Sequence, residues 1–190
     1  MEQLNIAFFT SINQFAGQNQ LLDFIFIVFA EGMPYGFIIL VITIWFRSNK
    51  QIKRYLIGAT LTAIIGIIIN HFIAQVYFHP RPFMNNLGTT LVEHTANSSF
   101  PSDHTTFMFC IATSLLFYQT MRKWALAFTI WALIGGLSRV YIGVHFPFDI
   151  AAAFVVSAFS AMIVHSIRHK LTTGYDMIIT TGDRLTKRTS

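Results

Sequence analysis

The sequence predicts an all-α protein, a polytopic membrane helix bundle with five to six spans and one or two N-terminal interfacial helices. Of its 190 residues, 54% are hydrophobic and only 11% are charged, whereas soluble domains carry about 25% charged residues. The mean hydropathy is +0.55. Apolar segments long enough to cross a hydrocarbon layer of about 30 Å alternate with short polar segments. A water-exposed surface cannot be built from this composition.

The chain begins with a short amphipathic segment at residues 4–15. Its apolar side chains recur at helical spacing on one face; they are Leu4, Ala7, Phe8, Ile12 and Phe15. The segment is shorter than the roughly 20 residues that a span needs. It is therefore predicted to be a helix that lies in the membrane interface.

Residues 21–46 are apolar but are interrupted by Asp23, Glu31 and Pro34. The favoured interpretation is a second interfacial helix at about 20–30 that leads into a span ending near residue 47. Two alternatives stay open. The region can form a single tilted span, or it can form two separate spans, which gives six in all.

Four further spans are predicted, at residues 55–78, 105–120, 124–141 and 148–167. In the first of them, His71, Gln75 and Phe78 share one helical face, which we expect to point into the bundle. Interhelical hydrogen bonding and direct substrate contact are equally good interpretations of that face. Residues 1–170 are expected to form one membrane-embedded domain, and residues 171–190 a polar cytoplasmic tail.

The basic residues indicate the orientation of the chain. Eleven of the thirteen lysines and arginines fall in residues 47–54, 122–123 and 168–190, which alternating spans place on one side of the membrane. By the positive-inside rule that side is cytoplasmic. The other two, Arg81 and Arg139, then lie on the opposite face. Because the charges occur in clusters between apolar runs, nucleic acid is not predicted as a partner.

Three polar segments meet on that outer face. They are Arg81-Pro82, Pro101–His104 and Ser138–Asp149. Guanidinium groups suit phosphate oxygens, and a helix that starts after Ser102 offers free backbone N–H groups to an anion. The segments therefore predict a phosphate-binding site. Its candidate binding residues are Arg81, Ser102, Asp103, Ser138 and Arg139, with Gln75 nearby.

His145 and Asp149 are predicted to act as a pair. Pro147 fits the first turn of a helix, so His145 lies just before that helix and Asp149 within its first turn, where the carboxylate can reach the imidazole. This is the arrangement of a nucleophile and its orienting group. A second histidine, His104, can serve as acid and base. No metal or cofactor is predicted, because two arginines would repel a cation.

These segments resemble the signature of the type 2 phosphatidic-acid phosphatase superfamily, K-x6-R-P, P-S-G-H and S-R-x5-H-x3-D. The matching positions are Arg81, Pro82, Pro101, Ser102, His104, Ser138, Arg139, His145 and Asp149. Two positions depart from it. Ala74 stands at the lysine position, and Asp103 stands at the glycine position. Asp103 could face away from the site, shape specificity or recruit a cation to a diphosphate.

Within the superfamily, residues 79–83, 100–106 and 138–147 are similar to bacterial undecaprenyl-diphosphatases of the bacitracin-resistance type. The resemblance implies hydrolysis of undecaprenyl diphosphate at the outer face of the cytoplasmic membrane, through a phosphohistidine at His145 with His104 as acid and base. It implies a polyprenyl diphosphate lipid and membrane lipids as partners. The alternatives are another lipid phosphate (phosphatidylglycerophosphate or phosphatidate) or, in a different class, transport of an anionic lipid.

Overall fold

The computed structural model describes the backbone of residues 1–188 and side chains up to residue 184. The described residues contain no strand and form six α-helices: α1 (Glu2–Asn13), α2 (Gln20–Arg47), α3 (Lys50–Val76), α4 (Asp103–Leu116), α5 (Arg122–Tyr141) and α6 (Pro147–Arg188). Helices α2, α3, α5 and α6 are long and apolar enough to cross a membrane. The predicted all-α class is therefore confirmed, and the chain is an integral membrane protein.

Helix α2 corrects the prediction for the N-terminal region. It runs without a break from Gln20 to Arg47, so the favoured division near residue 30 is wrong, and so is the division into two spans. The Asn19 side chain accepts hydrogen bonds from the backbone N–H groups of Leu21 and Leu22 and caps the helix. Pro34 lies inside the helix, where its missing N–H leaves the carbonyl of Ala30 without its helical donor.

The inward face of helix α1 combines two asparagines with Phe9, which is fully buried in the core. Asn5 and Asn13 are buried, whereas the predicted apolar face contains exposed side chains at Leu4, Phe8 and Phe15. The amide of Asn13 donates to the carbonyls of Thr89 and Tyr141 at 2.8 and 2.7 Å. The Asn5 side-chain oxygen accepts from the Phe148 backbone N–H at 3.0 Å. Helix α1 thus holds the turn that precedes α6.

Helix α4 is the centre of the bundle and packs against α3, α5 and α6. Small residues allow this close approach. A Cβ on Gly66 of α3 would lie 2.5 Å from the Cys110 sulfur, and one on Gly136 of α5 would lie 2.8 Å from Ile150. The packing brings the start of α4 beside the end of α5 and the start of α6.

Helix α6 is longer than predicted. The last span was expected to end at Ile167, but the helix continues to Arg188, and at 1.5 Å per residue it is about 63 Å long. Its distal half is tied to the start of α3, where Arg54 binds Asp176 through two hydrogen bonds of 2.6 Å. The predicted tail at 171–190 is therefore helical up to residue 188, and residues 189–190 lie outside the described part.

Candidate active site

A tight turn joins α5 to α6 and positions the central histidine. Gly143 adopts a positive φ of 85°, a backbone conformation that residues other than glycine rarely adopt. A Cβ at this position would also collide with the carbonyl of Thr89. The turn leaves Arg139 in the last turn of α5 and His145 just before Pro147, the first residue of α6.

His145 is buried, with 2% of its surface exposed, and both of its ring nitrogens have partners. Its Nδ1 lies 3.2 Å from Asp149 Oδ2, and its Nε2 lies 3.1 Å from Arg81 Nη1. Because a guanidinium can only donate hydrogen bonds, Nε2 must be the acceptor. The proton of the neutral ring is therefore on Nδ1 and faces Asp149, and the Nε2 lone pair points toward a cation.

Several donors fix the Asp149 carboxylate. Its Oδ2 accepts from the backbone N–H of Phe146 at 2.8 Å and from the Ser99 hydroxyl, in addition to His145. Asp149 is fully buried. Ser99, also fully buried, lies 3.4 Å from His145 Nδ1. Ser99 could not be predicted from the sequence, because its partners His145 and Asp149 lie 46 and 50 positions away.

Arg81 is held by the loops around it. Its Nε donates to Asn97 Oδ1 at 2.9 Å and its Nη1 to the Val144 carbonyl at 2.8 Å. Burial, followed by the positive charge of Arg139, lowers the pKa of Arg81 to about 10. The guanidinium therefore remains charged near neutral pH and directs that charge toward His145.

Arg139 approaches the site from α5 and is bound by groups that the sequence analysis did not identify. Its Nη1 donates to the Ala30 carbonyl at 3.1 Å and to Glu31 Oε1 at 3.4 Å, and its Nη2 lies 3.3 Å from His94 Nε2. The Ala30 carbonyl is the one that Pro34 leaves without a helical donor. A proline in α2 thus supplies an acceptor for a guanidinium of the site.

The start of α4 supplies the other predicted residues. Ser102 is the N-cap residue, but its hydroxyl contacts Thr105 Oγ1 at 3.0 Å and makes no capping bond. Asp103 accepts from the Asn70 amide at 2.9 Å. His104 is exposed, and within the described residues its ring makes no hydrogen bond. The side chain of His104 is therefore free to meet a ligand.

Two predicted binding residues lie at the margin of this arrangement. Gln75 and Asp103 both line a cavity of about 500 Å³ next to the loop that holds Arg81. The face formed by residues 71, 75 and 78 borders that cavity and is exposed, so the expectation that it points into the bundle is wrong.

The Ser138 hydroxyl donates to the Ile134 carbonyl of its own helix at 2.7 Å.

The electrostatic environment keeps His145 neutral. Burial first, and then the positive charges of Arg81 and Arg139, lower its pKa well below the usual value. Burial and Arg81 also lower the pKa of His94. A neutral imidazole whose Nε2 lone pair is held by Arg81 is able to attack an electrophilic phosphorus atom once that hydrogen bond is released. No cluster of three or more His, Cys, Asp or Glu side chains in the described region could hold a metal ion.

Comparison with known proteins identifies the family. Residues 54–173 match the PAP2 superfamily, and this range contains all three motif segments. The chain is 32% identical to the undecaprenyl-diphosphatase BcrC of Bacillus subtilis over 176 residues, which cover 93% of this chain and 90% of that protein.

Solved structures share the fold. The crystal structure of Aquifex aeolicus LpxE superposes with a TM-score of 0.71 at 26% identity and covers 86% of this chain and 95% of LpxE. The PAP2-type phosphatidylglycerolphosphate phosphatase of Bacillus subtilis superposes with a TM-score of 0.64 at 19% identity, with 90% of this chain and 87% of that one covered. The chain belongs to the PAP2 superfamily.

Proposed function

We propose that this protein hydrolyses undecaprenyl diphosphate to undecaprenyl phosphate and inorganic phosphate. The observation that carries the proposal is the state of His145, whose Nδ1 faces Asp149 and whose Nε2 faces Arg81. That geometry suits a histidine that attacks phosphorus while a carboxylate stabilises its positive charge. The name of the BcrC relative supports a polyprenyl diphosphate as the lipid.

In the first step, the terminal phosphate binds Arg81, Arg139 and the N–H groups at the start of α4 after Ser102. Arg81 moves its hydrogen bond from His145 Nε2 to a phosphate oxygen, which frees the lone pair. A bond forms between Nε2 and phosphorus as the bond to the bridging oxygen breaks. The two guanidinium groups stabilise the charge that spreads over the phosphoryl oxygens.

His104 acts in both steps. In the first step its protonated ring, favoured by the negative charge of the bound diphosphate, gives a proton to the departing lipid monophosphate. In the second step the now neutral His104 takes a proton from water, and the resulting hydroxide attacks the phosphorus carried by His145. Inorganic phosphate leaves, and His145 regains its lone pair. Asp149 stabilises the positive charge on the His145 ring throughout.

The proposed orientation has five spans, α2 to α6. Helix α4 has 14 residues and is shorter than the other four. It is taken as the fifth crossing because it connects the end of α3, near Arg81, with the start of α5 at Arg122. The positive-inside rule then places the C-terminus in the cytoplasm and the site on the extracytoplasmic face. Residues 1–170 form the phosphatase domain, and residues 171–190 extend into the cytoplasm.

A site on this face meets undecaprenyl diphosphate where cell-wall synthesis releases it. Hydrolysis there recycles the lipid carrier for peptidoglycan synthesis. It also removes the diphosphate lipid that bacitracin binds, so expression of the protein should raise resistance to bacitracin.

Phosphate release from a panel of lipids tests the substrate. The purified full chain in detergent should hydrolyse undecaprenyl diphosphate faster than phosphatidylglycerophosphate or phosphatidate. Vanadate, which mimics pentacoordinate phosphorus, should inhibit it. A preference for either glycerolipid would assign the same chemistry to another substrate, and no release from any of them would refute the proposal.

Thiol labelling of intact cells tests the orientation. In a Cys110→Ala background, Glu93→Cys should react with a membrane-impermeant reagent from outside. Lys123→Cys, at the other end of the bundle, should react only after the membrane is made permeable. The reverse pattern would overturn the orientation without affecting the chemistry.

A further inference from the structure

The carboxylate of Asp149 has a second histidine on its other side. Asp149 Oδ1 is buried and has no hydrogen-bond partner among the described residues, and the same holds for His79 Nδ1. These two atoms face each other at 4.0 Å. The opposite nitrogen of the His79 ring, Nε2, lies 3.4 Å from the Glu2 carboxylate of α1. The order of side chains is therefore Glu2, His79, Asp149, His145.

The surroundings of His79 make this approach a built feature of the fold. Its backbone carbonyl accepts from the Ser99 N–H at 2.7 Å, and its ring packs edge-on against Phe146, with centroids 5.2 Å apart. Ser99 also binds the other oxygen of Asp149. The backbone hydrogen bond between Ser99 and His79 thus couples the two residues that border the Asp149 carboxylate from opposite sides.

The two carboxylates differ in their access to water. Asp149 is fully buried, whereas 56% of the Glu2 side chain is exposed, so solvent can satisfy Glu2 but not Asp149. A buried oxygen without a donor carries the full desolvation cost. A donor proton on His79 Nδ1 would remove that cost at Asp149 once the two atoms close from 4.0 Å to hydrogen-bond length.

We propose that His79 is a positioning residue that donates from Nδ1 to Asp149 Oδ1 and fixes the carboxylate so that Oδ2 is aimed at His145. The ring then carries a proton on each nitrogen, because Nε2 faces the Glu2 carboxylate, which can only accept. The neighbouring arginines do not replace this donor, because Arg81 bonds His145 Nε2 and Arg139 bonds Ala30, Glu31 and His94, and neither bonds Asp149 Oδ1. The inference rests on the proposed function, in which His145 is the nucleophile.

Three substitutions separate a positioning role from a packing role. In His79→Asn the amide nitrogen occupies the place of Nδ1 and keeps the donor to Asp149. In His79→Gln it occupies the place of Nε2 and keeps only the contact to Glu2. His79→Phe keeps the ring and its packing but has no donor.

The turnover of undecaprenyl diphosphate by the full chain in detergent is the first readout. His79→Phe and His79→Gln should lower kcat by about 10- to 100-fold, the scale expected for a misplaced catalytic group, with KM unchanged. His79→Asn should stay within about threefold of the wild-type kcat. Equal losses in His79→Asn and His79→Phe, or a normal kcat in His79→Phe, would overturn the proposal.

A second readout needs no substrate. The Nδ1 proton of His145, bonded to a buried carboxylate, should give a low-field NMR resonance in the wild-type protein and in His79→Asn. The resonance should be lost or shifted in His79→Phe, and an unchanged resonance there would overturn the proposal. A wild-type protein that hydrolyses no lipid phosphate would refute the proposed function, and this spectrum would still decide the role of His79.

Discussion

His145 and His104 are held in different ways by the same bundle. His145 is 2% exposed, and both of its ring nitrogens have partners in Asp149 and Arg81. His104 is exposed in the first turn of α4, and its ring makes no hydrogen bond within the described residues. One imidazole has a fixed tautomer and direction, and the other can turn.

The difference matches two chemical tasks. A nucleophile gains from a fixed lone pair, because orientation removes much of the entropic cost of attack. An acid and base has to exchange protons with a leaving group and then with water, and so it needs access to both. The two arginines are both fixed, but by different parts of the fold, since Arg81 is bound to loops beside His145 whereas Arg139 is bound to Glu31 and the freed Ala30 carbonyl.

The largest expected effect comes from removing each of the two histidines in turn. His145→Ala should lower kcat by about 10⁴-fold or more, as removal of a nucleophile does elsewhere, and His104→Ala should lower it by about 10²- to 10⁴-fold. Steady-state hydrolysis of undecaprenyl diphosphate measures both. Equal activity of His145→Ala and wild type, with equal amounts of folded protein, would remove His145 from the mechanism.

The pH dependence of Arg81→Gln tests why the fixed histidine is neutral. In the proposed mechanism the nucleophile is the neutral form of His145, which is lost as the pH falls through its pKa. Burial and then Arg81 hold that pKa well below its usual value. In the wild-type protein, protonation of His145 should therefore lower kcat/KM only below about pH 6. Removing the guanidinium lets the pKa rise, so the acid limb should move to higher pH.

The loss of one phosphate ligand should also lower the kcat/KM of Arg81→Gln by about 10²- to 10³-fold. Arg122→Gln, a matched change at the other end of the bundle, should change neither the pH of the acid limb nor the value of kcat/KM. Ionisation of the substrate is the same in all three proteins. An acid limb at the same pH in Arg81→Gln and wild type would contradict the electrostatic explanation.

Ser99→Ala should have a smaller effect that sharpens the contrast between fixed and free histidines. It removes one of the donors to Asp149 Oδ2 and should lower kcat by about tenfold, which corresponds to about 1.4 kcal/mol. Ser166→Ala, whose hydroxyl bonds within α6 far from the site, is the control. Wild-type kcat in Ser99→Ala would show that the carboxylate does not depend on this donor.

Much of the site could be predicted from the sequence, because its motif residues lie in three short segments with fixed spacing. The sequence could not reveal Glu31 and His94 as partners of Arg139, since these contacts join residues 108 and 45 positions apart. The break expected in α2 does not occur. A proline can continue a membrane helix when another group uses the freed carbonyl, and here Arg139 does so.

The α1 helix shows a second limit. Its apolar periodicity predicted a helix in the membrane interface, but it did not indicate which groups on the opposite face would contact the protein. Leu4, Phe8 and Phe15 are exposed, as expected for an interfacial helix, and the amides of Asn5 and Asn13 turn inward to satisfy backbone groups. The amide spacing on the opposite face was the signal available for this packing.

The smallest expected effect tests whether Arg139 depends on the Ala30 carbonyl as an acceptor. Pro34→Ala supplies an N–H to the Ala30 carbonyl, which then competes with Arg139 for the same oxygen. We expect kcat/KM to fall by about threefold to tenfold, the effect of weakening one hydrogen bond. Gly32→Ala changes the same helix but adds no N–H that competes with Arg139 for the Ala30 carbonyl, so it should have no such effect. A kcat/KM equal to wild type in Pro34→Ala would show that Arg139 does not need this acceptor.

Trapping of the covalent intermediate tests the division of labour between the two histidines most directly. The leaving lipid monophosphate is weakly basic, so it departs without full protonation, whereas water needs a base. With substrate labelled in the terminal phosphate and an alkaline quench, His104→Ala should accumulate label on the peptide that contains His145, and His145→Ala should show none. Label on His145→Ala protein, or none on His104→Ala protein that still forms product, would contradict the mechanism.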